Sequence, residues 1–363
     1  MAGVTGSVVG REAKIIRSAG TTWGTESTAT YYEWKLLGDG LSFSQDLDPI
    51  EESNSTCLKD ADLGNTSASF TPRHALYFDD IHAIAQVLGD GNYATPAEEN
   101  TGKGDYKHTV YPDEDNNGDF ETVAVKKGAY IHSLHSVKYP GFHVSGQASP
   151  QRIEISFDTL VSNLDNASAV LTAADFTAAT AQPSGNGGRA FFRNFTFRIN
   201  DQSGATLGVG DAISNVVTGF KFSFVRSLTE DRTNSSGLQI EEPVEDSYPE
   251  TTLRLDLRNL DGDIDTFITN YLAGTKKKLD FEITGSAAST ATGTVATASF
   301  KISAPNAKLE SVDAGSYEGP GRISSSVIFR LHGTDTTGDA NGMAFLEPFK
   351  LEVINAQSGA AVS

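Results

Sequence analysis

Cysteine is almost absent from this 363-residue sequence, which contains only Cys57. A single cysteine excludes a framework of disulfide bonds within the chain, and it is typical of proteins made in a reducing compartment. Long hydrophobic runs are also missing, because no stretch reaches the ~20 apolar residues that a membrane-spanning helix needs. The opening stretch MAGVTGSVVGREAKIIRSAG lacks the apolar core of a secretory signal. We therefore expect neither such a signal nor a membrane anchor.

Positive charge is scarce relative to negative charge. Lys and Arg total 28 against 47 Asp and Glu, which gives a net charge of −19. A chain of this kind repels phosphate groups, so we exclude a protein that grips nucleic acid through its backbone. Two explanations of the acidic surface stay open. It serves solubility, for example in a saline habitat, or it faces DNA that must pass without binding.

Two stretches of the sequence echo each other. GLSFSQDLDPIEESNST begins at Gly40, and GFKFSFVRSLTEDRTNSSG begins at Gly219. Both open with Gly, an apolar residue, a polar residue, Phe and Ser. Both then run through a polar, acidic segment into a turn rich in Ser, Thr and Asn. One echo can arise by chance, so the order of the later features decides whether the chain is duplicated.

One helix follows each of these stretches. Apolar residues at helical spacing predict helices over 79–89 and 263–273. We expect Asp79 or Asp80 to cap the first helix, and a glycine (Gly89 or Gly274) to end each one. The predicted buried stripes are Ile81, Ile84, Ala85 and Leu88 in the first helix, and Ile264, Phe267, Ile268 and Tyr271 in the second.

The remaining features keep the same order in both halves. Each helix is followed by a strand, a turn and a strand, then by a proline (Pro140 or Pro305) and an Arg-Ile pair that opens an alternating strand. We interpret the chain as mainly β: two tandem β-sandwich or partial-barrel domains, each with one flanking helix. Copy 1 spans 1–182 and copy 2 spans 189–363. A Pro/Ser/Gly-rich linker covers 183–188, and copy 1 carries a polar insertion at about 91–106 that we expect to form an exposed loop.

No constellation of residues points to catalysis or to a cofactor. Asp113, Asp115, Asn117 and Gly118 match part of a calcium-binding loop, but Ala124 stands where the closing Glu belongs. A polar hairpin turn explains this stretch better than a calcium site. The histidines are scattered, Cys57 has no basic neighbour in sequence, and common catalytic motifs are missing. We therefore expect no enzyme activity, no cofactor and no ordered metal.

The acidic segments after the two echoing stretches are candidates for subunit contacts. They are solvated loops or protruding hairpins that dock on a neighbouring subunit, and the sequence does not separate these readings. The candidate residues are Asp46, Asp48, Glu51, Glu52 and Asn54 in copy 1, and Thr229, Glu230, Asp231 and Arg232 in copy 2. They lie in the wider segments 45–56 and 226–236.

The order of these features resembles that of the tail tube proteins of long-tailed bacterial and archaeal viruses. The resemblance rests on GREAKIIRSAGTTWGTEST leading to GLSFSQDLDPIEESNST, on the helix FDDIHAIAQVLGD, and on SGQASPQRIEISFDTL. It covers essentially the whole chain, because each half repeats the order. The motifs are loose, so the likeness is one of architecture and order.

The resemblance implies a structural virion protein made in the host cytoplasm. In that family, β-sandwich units form six-unit rings whose sheets join into an inner barrel, and the stacked rings enclose an acidic channel for DNA ejection. A two-unit chain would build the same ring as a homotrimer. Its implied partners are further copies of itself and the tape measure, tail terminator and distal tail proteins. The alternative is a tandem β-sandwich adhesin or virion decoration protein, which would bind an external ligand.

Overall fold

The computed structural model describes most of the chain. The described residues are 13–27, 30–49, 61–79, 81–89, 96–165, 170–180, 188–213, 216–231, 240–258, 262–313 and 325–358. Strands make up 52% and helices 9% of the structure, so the prediction of a mainly-β fold is confirmed.

Within the described residues, ten strands lie in the first half and seven in the second. In the first half they are β1 Lys14–Ala19, β2 Tyr32–Glu33, β3 Ser42–Pro49, β4 Ala61–Ser69, β5 Arg73–Ala75, β6 Ala97–Glu98, β7 Tyr106–Val110, β8 Glu121–Lys127, β9 Tyr130–Gln147 and β10 Ile153–Asp165. In the second half they are β11 Phe195–Asp201, β12 Val217–Thr229, β13 Val244–Leu257, β14 Lys277–Ala287, β15 Thr297–Asp313, β16 Ser325–His332 and β17 Lys350–Asn355. The helices are α1 His82–Leu88, α2 Asp175–Ala178 and α3 Gly262–Ala273.

The first predicted helix exists but is shorter than expected. It begins at His82, and its N-cap is Ile81, which makes no side-chain capping bond. The predicted Asp79 cap is wrong, because the Asp79 carboxylate accepts a hydrogen bond from the backbone N–H of Ala356 instead (3.4 Å). Asp80 lies outside the described residues. Gly89 does end the helix, with φ +91°, a conformation that glycine adopts without steric cost.

The two helices differ in burial. α1 is buried around nearly its whole circumference, including Gln86 on the side opposite the predicted stripe. In α3 the predicted stripe is only partly correct, because Phe267 is buried but Tyr271 is 44% exposed. The side chain of Ile264 lies outside the described set. α1 lies beside β9 and α3 lies beside β15, so each helix packs on the long strand of its own half.

Strand pairing crosses between the halves at two places. Antiparallel pairing joins β9 to β12 and β17 to β7. As a result, one 15-stranded sheet runs through both halves. Within it, six antiparallel strands in the order β10-β9-β12-β13-β16-β15 form what we call the shared sheet. The β3–β4 hairpin forms a separate two-stranded sheet, with β4 lying alongside β10.

A single hydrophobic cluster fills most of the interior. It contains Trp34, Phe142 and Phe157 from the first half together with Phe222 and Phe329 from the second. Phenylalanines recur at every second position of β12, which directs them all to one face of the strand. The main core therefore extends across the predicted domain boundary. The predicted linker itself falls almost wholly outside the described residues.

Four strand pairs recur in both halves. The pairs β1–β8, β8–β9, β9–β10 and β3–β4 of the first half have the counterparts β11–β14, β14–β15, β15–β16 and β12–β13 in the second. All of these pairs are antiparallel. The halves differ at one step, because β13 pairs with β16, whereas the β3–β4 hairpin forms a sheet of its own beside β10.

The polar insertion is not simply an exposed loop. Its described part forms β6, which pairs with β7. Asp105 is fully buried, and its carboxylate accepts hydrogen bonds from Asn100 and from the backbone N–H of Ala296 in the second half. Lys103 donates a hydrogen bond to the carbonyl of Thr292 (2.7 Å). The insertion therefore ties the first half to the β14–β15 turn of the second.

Candidate functional site

The junction between β9 and β12 is the most extensive strand contact between the halves. Seven consecutive residues of each strand pair, from Gly219 opposite Gln147 to Val225 opposite Gly141. On the core side, the ring of Phe142 lies 5.6 Å from that of Phe222 and 6.1 Å from that of Phe224. Backbone pairing and aromatic packing therefore act together, and an edge of one half is covered by an edge of the other.

A polar bridge crosses the outward side of the same junction. His143 on β9 lies 3.0 Å from the Asp158 carboxylate on β10 and 2.9 Å from the Ser223 hydroxyl on β12. The hydrogen bond from His143 lowers the pKa of Asp158 below its ordinary value of 3.8. Three adjacent strands are thus linked on this side by side chains as well as by their backbones.

An ion pair joins the halves near the end of the junction. The Lys138 ammonium lies 2.8 Å from the Glu242 carboxylate, and the Lys138 side chain is fully buried. Glu242 also accepts a hydrogen bond from the backbone N–H of Gly118 (2.7 Å). Because an unpaired buried ammonium is costly, this pair favours one fixed arrangement of the two halves.

Arg226 on β12 binds the C-terminal end of α1. Its guanidinium donates to the carbonyls of Val87, Leu88 and Asp113 and pairs with Glu245 (3.0 Å). A helix leaves its last carbonyls without partners inside the helix. Arg226, from the other half of the chain, supplies the hydrogen-bond donors for the carbonyls of Val87 and Leu88. The expectation that it begins an exposed contact loop is wrong, because its side chain is fully buried.

The first group of predicted contact residues lies on the β3–β4 hairpin. Asp46 and Asp48 belong to β3 itself rather than to a loop. Glu51, Glu52 and Asn54 lie outside the described residues. Of the two alternatives that the sequence leaves open, a solvated loop and a protruding hairpin, the described part of this segment forms a hairpin.

The second group lies where β12 ends. Thr229 is inside the strand, and its hydroxyl donates to the Asp246 carboxylate on β13 (2.6 Å). Glu230 and Asp231 follow the strand and are exposed, while Arg232 lies outside the described residues. The structure thus puts the two predicted groups on two separate hairpins, β3–β4 and β12–β13, which occupy corresponding places in the two halves.

The calcium candidates form a turn between β7 and β8. The Asp113 carboxylate accepts the backbone N–H of Glu114 (2.7 Å), and the Asp115 carboxylate accepts that of Asn117 (3.2 Å). Carboxylates that bond the adjacent backbone are typical of polar turns. Within the part of the chain that the structure describes, no three His, Cys, Asp or Glu residues group as metal ligands would.

The outward face of the shared sheet carries paired charges. Arg254 lies 2.9 Å from Asp256, and Arg73 lies 3.6 Å from Glu154. Arg330 pairs with Glu250 and with Glu310. An arginine that is already bonded to a carboxylate attracts a further anion less strongly.

Sequence reasoning missed the residues that join the halves. Lys138, His143 and Glu242 lie in stretches that read as ordinary strand or loop, and their partners are distant in sequence. One signal was available in the sequence. Lys138 stands within a predicted strand, and a buried lysine requires a partner. The echo between Gly40 and Gly219 did indicate the correct strands, but not that one of them is covered by β9.

No protein-family profile matches the chain, and a comparison with curated proteins found no significant match. Among the described helices, none has the length and apolar character needed to cross a membrane.

Proposed function

We propose that this protein is a structural subunit that assembles edge to edge into rings, and that the stacked rings form the tail tube of a long-tailed virus. The single observation that carries the proposal is the β9–β12 junction. Two halves that share four corresponding strand pairs join there, edge against edge, into one sheet. Repeating this type of junction between chains would extend the sheet and close it into a barrel, which removes exposed strand edges.

The charge of the protein surface supports a channel through which DNA passes. The chain carries a net charge of −19, and the outward face of the shared sheet pairs its described arginines with carboxylates. If this face lines the channel, DNA would meet a polar wall that offers little to bind phosphate. In this proposal the protein acts without a cofactor, is made in the host cytoplasm and resides in the virion. Its partners are further copies of itself and the tape measure, tail terminator and distal tail proteins.

The alternative is a tandem β-sandwich adhesin or virion decoration protein. Such a protein would act through an exposed ligand-binding surface. The aromatic clusters of the described residues are mostly buried in the main core, and the exposed aromatic side chains Phe43, Tyr130, Tyr248 and Tyr271 lie on four different elements. We therefore favour the tube.

Electron microscopy of the purified full-length chain tests the proposal. We expect negatively stained samples to contain rings and stacked tubes, and the rings to be homotrimers of quasi-sixfold appearance. Light scattering should give the mass of three chains for the smallest closed species. Isolated particles with the mass of one chain, at every protein concentration tested, would contradict the tube and favour the decoration protein.

Deleting residues 48–54 tests the role of the β3–β4 hairpin in assembly. We expect this variant to keep the circular dichroism spectrum of the natural chain but to form no tubes. The matched control replaces the same seven positions with a Gly/Ser segment of equal length, which separates the loss of side chains from the shortening of the hairpin. Normal tubes from the deletion variant would show that the hairpin is dispensable.

A further inference from the structure

Two of the corresponding strand pairs also agree in register. The β8–β9 and β14–β15 pairs contain a register shift at the same place, and β14–β15 has a second shift between Thr284 and Ala287. The matching pairs are Glu121–Val137, Val123–Leu134 and Ala124–Ser133 in the first half, and Lys277–Ala307, Leu279–Ala304 and Asp280–Ser303 in the second. Each residue of β9 therefore has a defined counterpart in β15.

The same correspondence holds in the next strand pair. Phe142 pairs with Phe157 in the first half, and Val312 pairs with Val327 in the second. Both pairs point into the core. Phe142, Phe157 and Val327 belong to the main hydrophobic cluster, and Val312 packs against it. Val312 is thus the counterpart of Phe142, and Ser311 is the counterpart of Gly141.

These corresponding edges differ in what covers them. In β9, the part of the strand that follows the segment paired with β8 is covered by β12. Gly141, Phe142 and Val144 in this part are buried. In β15, the stretch Lys308–Val312 has β16 as its strand partner on one side. Among the described residues no strand pairs with its other side. Lys308, Glu310 and Ser311 are accordingly exposed.

A strand that fits this edge lies at the opposite end of the molecule. In β12, Phe222 pairs with Leu253, faces the core and is fully buried beneath β9. In β3, Phe43 pairs with Ala68, which packs against the same core, so Phe43 points to the corresponding side. Yet Phe43 is 61% exposed, because β4 is the one strand that pairs with β3 in the described chain.

We propose that β3 of a second copy of this chain pairs antiparallel with the edge of β15, as β12 pairs with β9 within the chain. The internal junction fixes the register. Ser223 lies opposite His143 within the chain, so Ser44 of one copy lies opposite Asp313 of the next. Phe43 then packs near Val312, as Phe222 packs against Phe142. This inference rests on the proposed function, since it names the contact through which rings form.

The contact is head-to-tail, which has a geometric consequence. One end of each chain, β3, binds the other end, β15, of its neighbour, so every chain uses both surfaces once. Contacts of this type generate a closed ring when the rotation closes, and a filament when it does not. Added backbone pairing along an exposed edge is a common way for one chain to recognise another.

Cysteine cross-linking tests the register. Ser44→Cys and Asp313→Cys are combined in a Cys57→Ser background, and the full-length chain is oxidised after assembly. We expect most of the chain to migrate as covalent multimers on a non-reducing gel. The control combines Phe43→Cys with Asp313→Cys. A shift of one residue along a strand moves a side chain to the opposite face, so this pair should stay largely monomeric.

The outcomes distinguish the proposed β3–β15 contact from the proposed tube function. Rings by microscopy without multimers from the Ser44/Asp313 pair would overturn the proposed contact and leave the tube function standing. A cross-link within a single chain, seen as a fast-migrating monomer, would also overturn it. A chain that remains monomeric and forms no rings would overturn the tube function as well.

A substitution without cysteine gives independent evidence. Phe43→Ser should abolish rings while the melting temperature of the monomer stays within a degree or two of the natural value, because Phe43 is exposed before assembly. The matched control is Val209→Ser, which removes a 92% exposed apolar side chain away from both edges. If both variants form rings equally well, Phe43 has no part in the contact.

Discussion

The guanidinium of Arg226 donates a hydrogen bond to the carbonyl of Leu88, over a distance of 3.0 Å. Leu88 is the last residue of α1, in the first half of the chain, and Arg226 lies on β12 in the second. One side chain therefore both completes a helix end and fixes the position of one half against the other. A short helix whose last carbonyls are buried depends on such a partner.

Replacing this arginine should destabilise the protein strongly. Arg226→Met removes the donors to three carbonyls and leaves Glu245 without its ion pair, so we expect the free energy of unfolding to fall by about 3–5 kcal/mol. Urea denaturation followed by circular dichroism measures the change. The control is Arg254→Met, which breaks an exposed ion pair with Asp256 and should cost no more than about 1 kcal/mol. Equal losses in the two variants would contradict the role assigned to Arg226.

The two halves should unfold together. Both tryptophans, Trp23 and Trp34, lie in the first half, whereas Phe222 lies in the second and packs into the common core. Phe222→Ala should therefore lower the midpoint seen by tryptophan fluorescence as much as the midpoint seen by circular dichroism. The expected loss is about 3–5 kcal/mol, as for other large-to-small core substitutions. A fluorescence transition that does not move would indicate halves that fold independently.

Local patterns predicted the individual elements better than their assembly. The glycine ends of the helices depend on nearby residues, and Gly89 and Gly274 follow α1 and α3 as predicted. The pairing of β9 with β12 and the bonds of Arg226 depend on contacts between residues far apart in the chain. No periodicity records those contacts, so the sequence does not predict that residues of both halves share one hydrophobic cluster.

The same limit applies to the candidate contact residues. Acidic, polar stretches left a solvated loop and a protruding hairpin equally open at Asp46 and Thr229, because charged residues suit both. Both residues lie in hairpin strands, β3 and β12. Composition does not distinguish a loop from a hairpin, because the strand pairing depends on residues elsewhere in the chain.

Calcium removal tests the turn between β7 and β8. Because the carboxylates of Asp113 and Asp115 already accept backbone hydrogen bonds, we expect EDTA to leave the melting temperature unchanged within about a degree. Differential scanning fluorimetry with and without added calcium measures this. A decrease of several degrees in EDTA that disappears in Asp115→Ala would show a calcium site and contradict the turn.

Acid should weaken the bridge at the β9–β12 junction. The hydrogen bond from His143 holds the pKa of Asp158 below its ordinary value of 3.8 in the folded state. A group with a lowered folded pKa stabilises the protein fully above its unfolded value, and that contribution is lost as the pH falls through the folded value. Asp158→Asn should therefore destabilise the protein at pH 6 but have progressively less effect below pH 3.8, when unfolding is measured by urea at each pH. The control Ser223→Ala leaves the Asp158–His143 pair in place. Its stability should therefore fall with acid as much as that of the natural chain. If Asp158→Asn loses as much stability between pH 6 and pH 3 as the natural chain does, the carboxylate of Asp158 does not stabilise the junction.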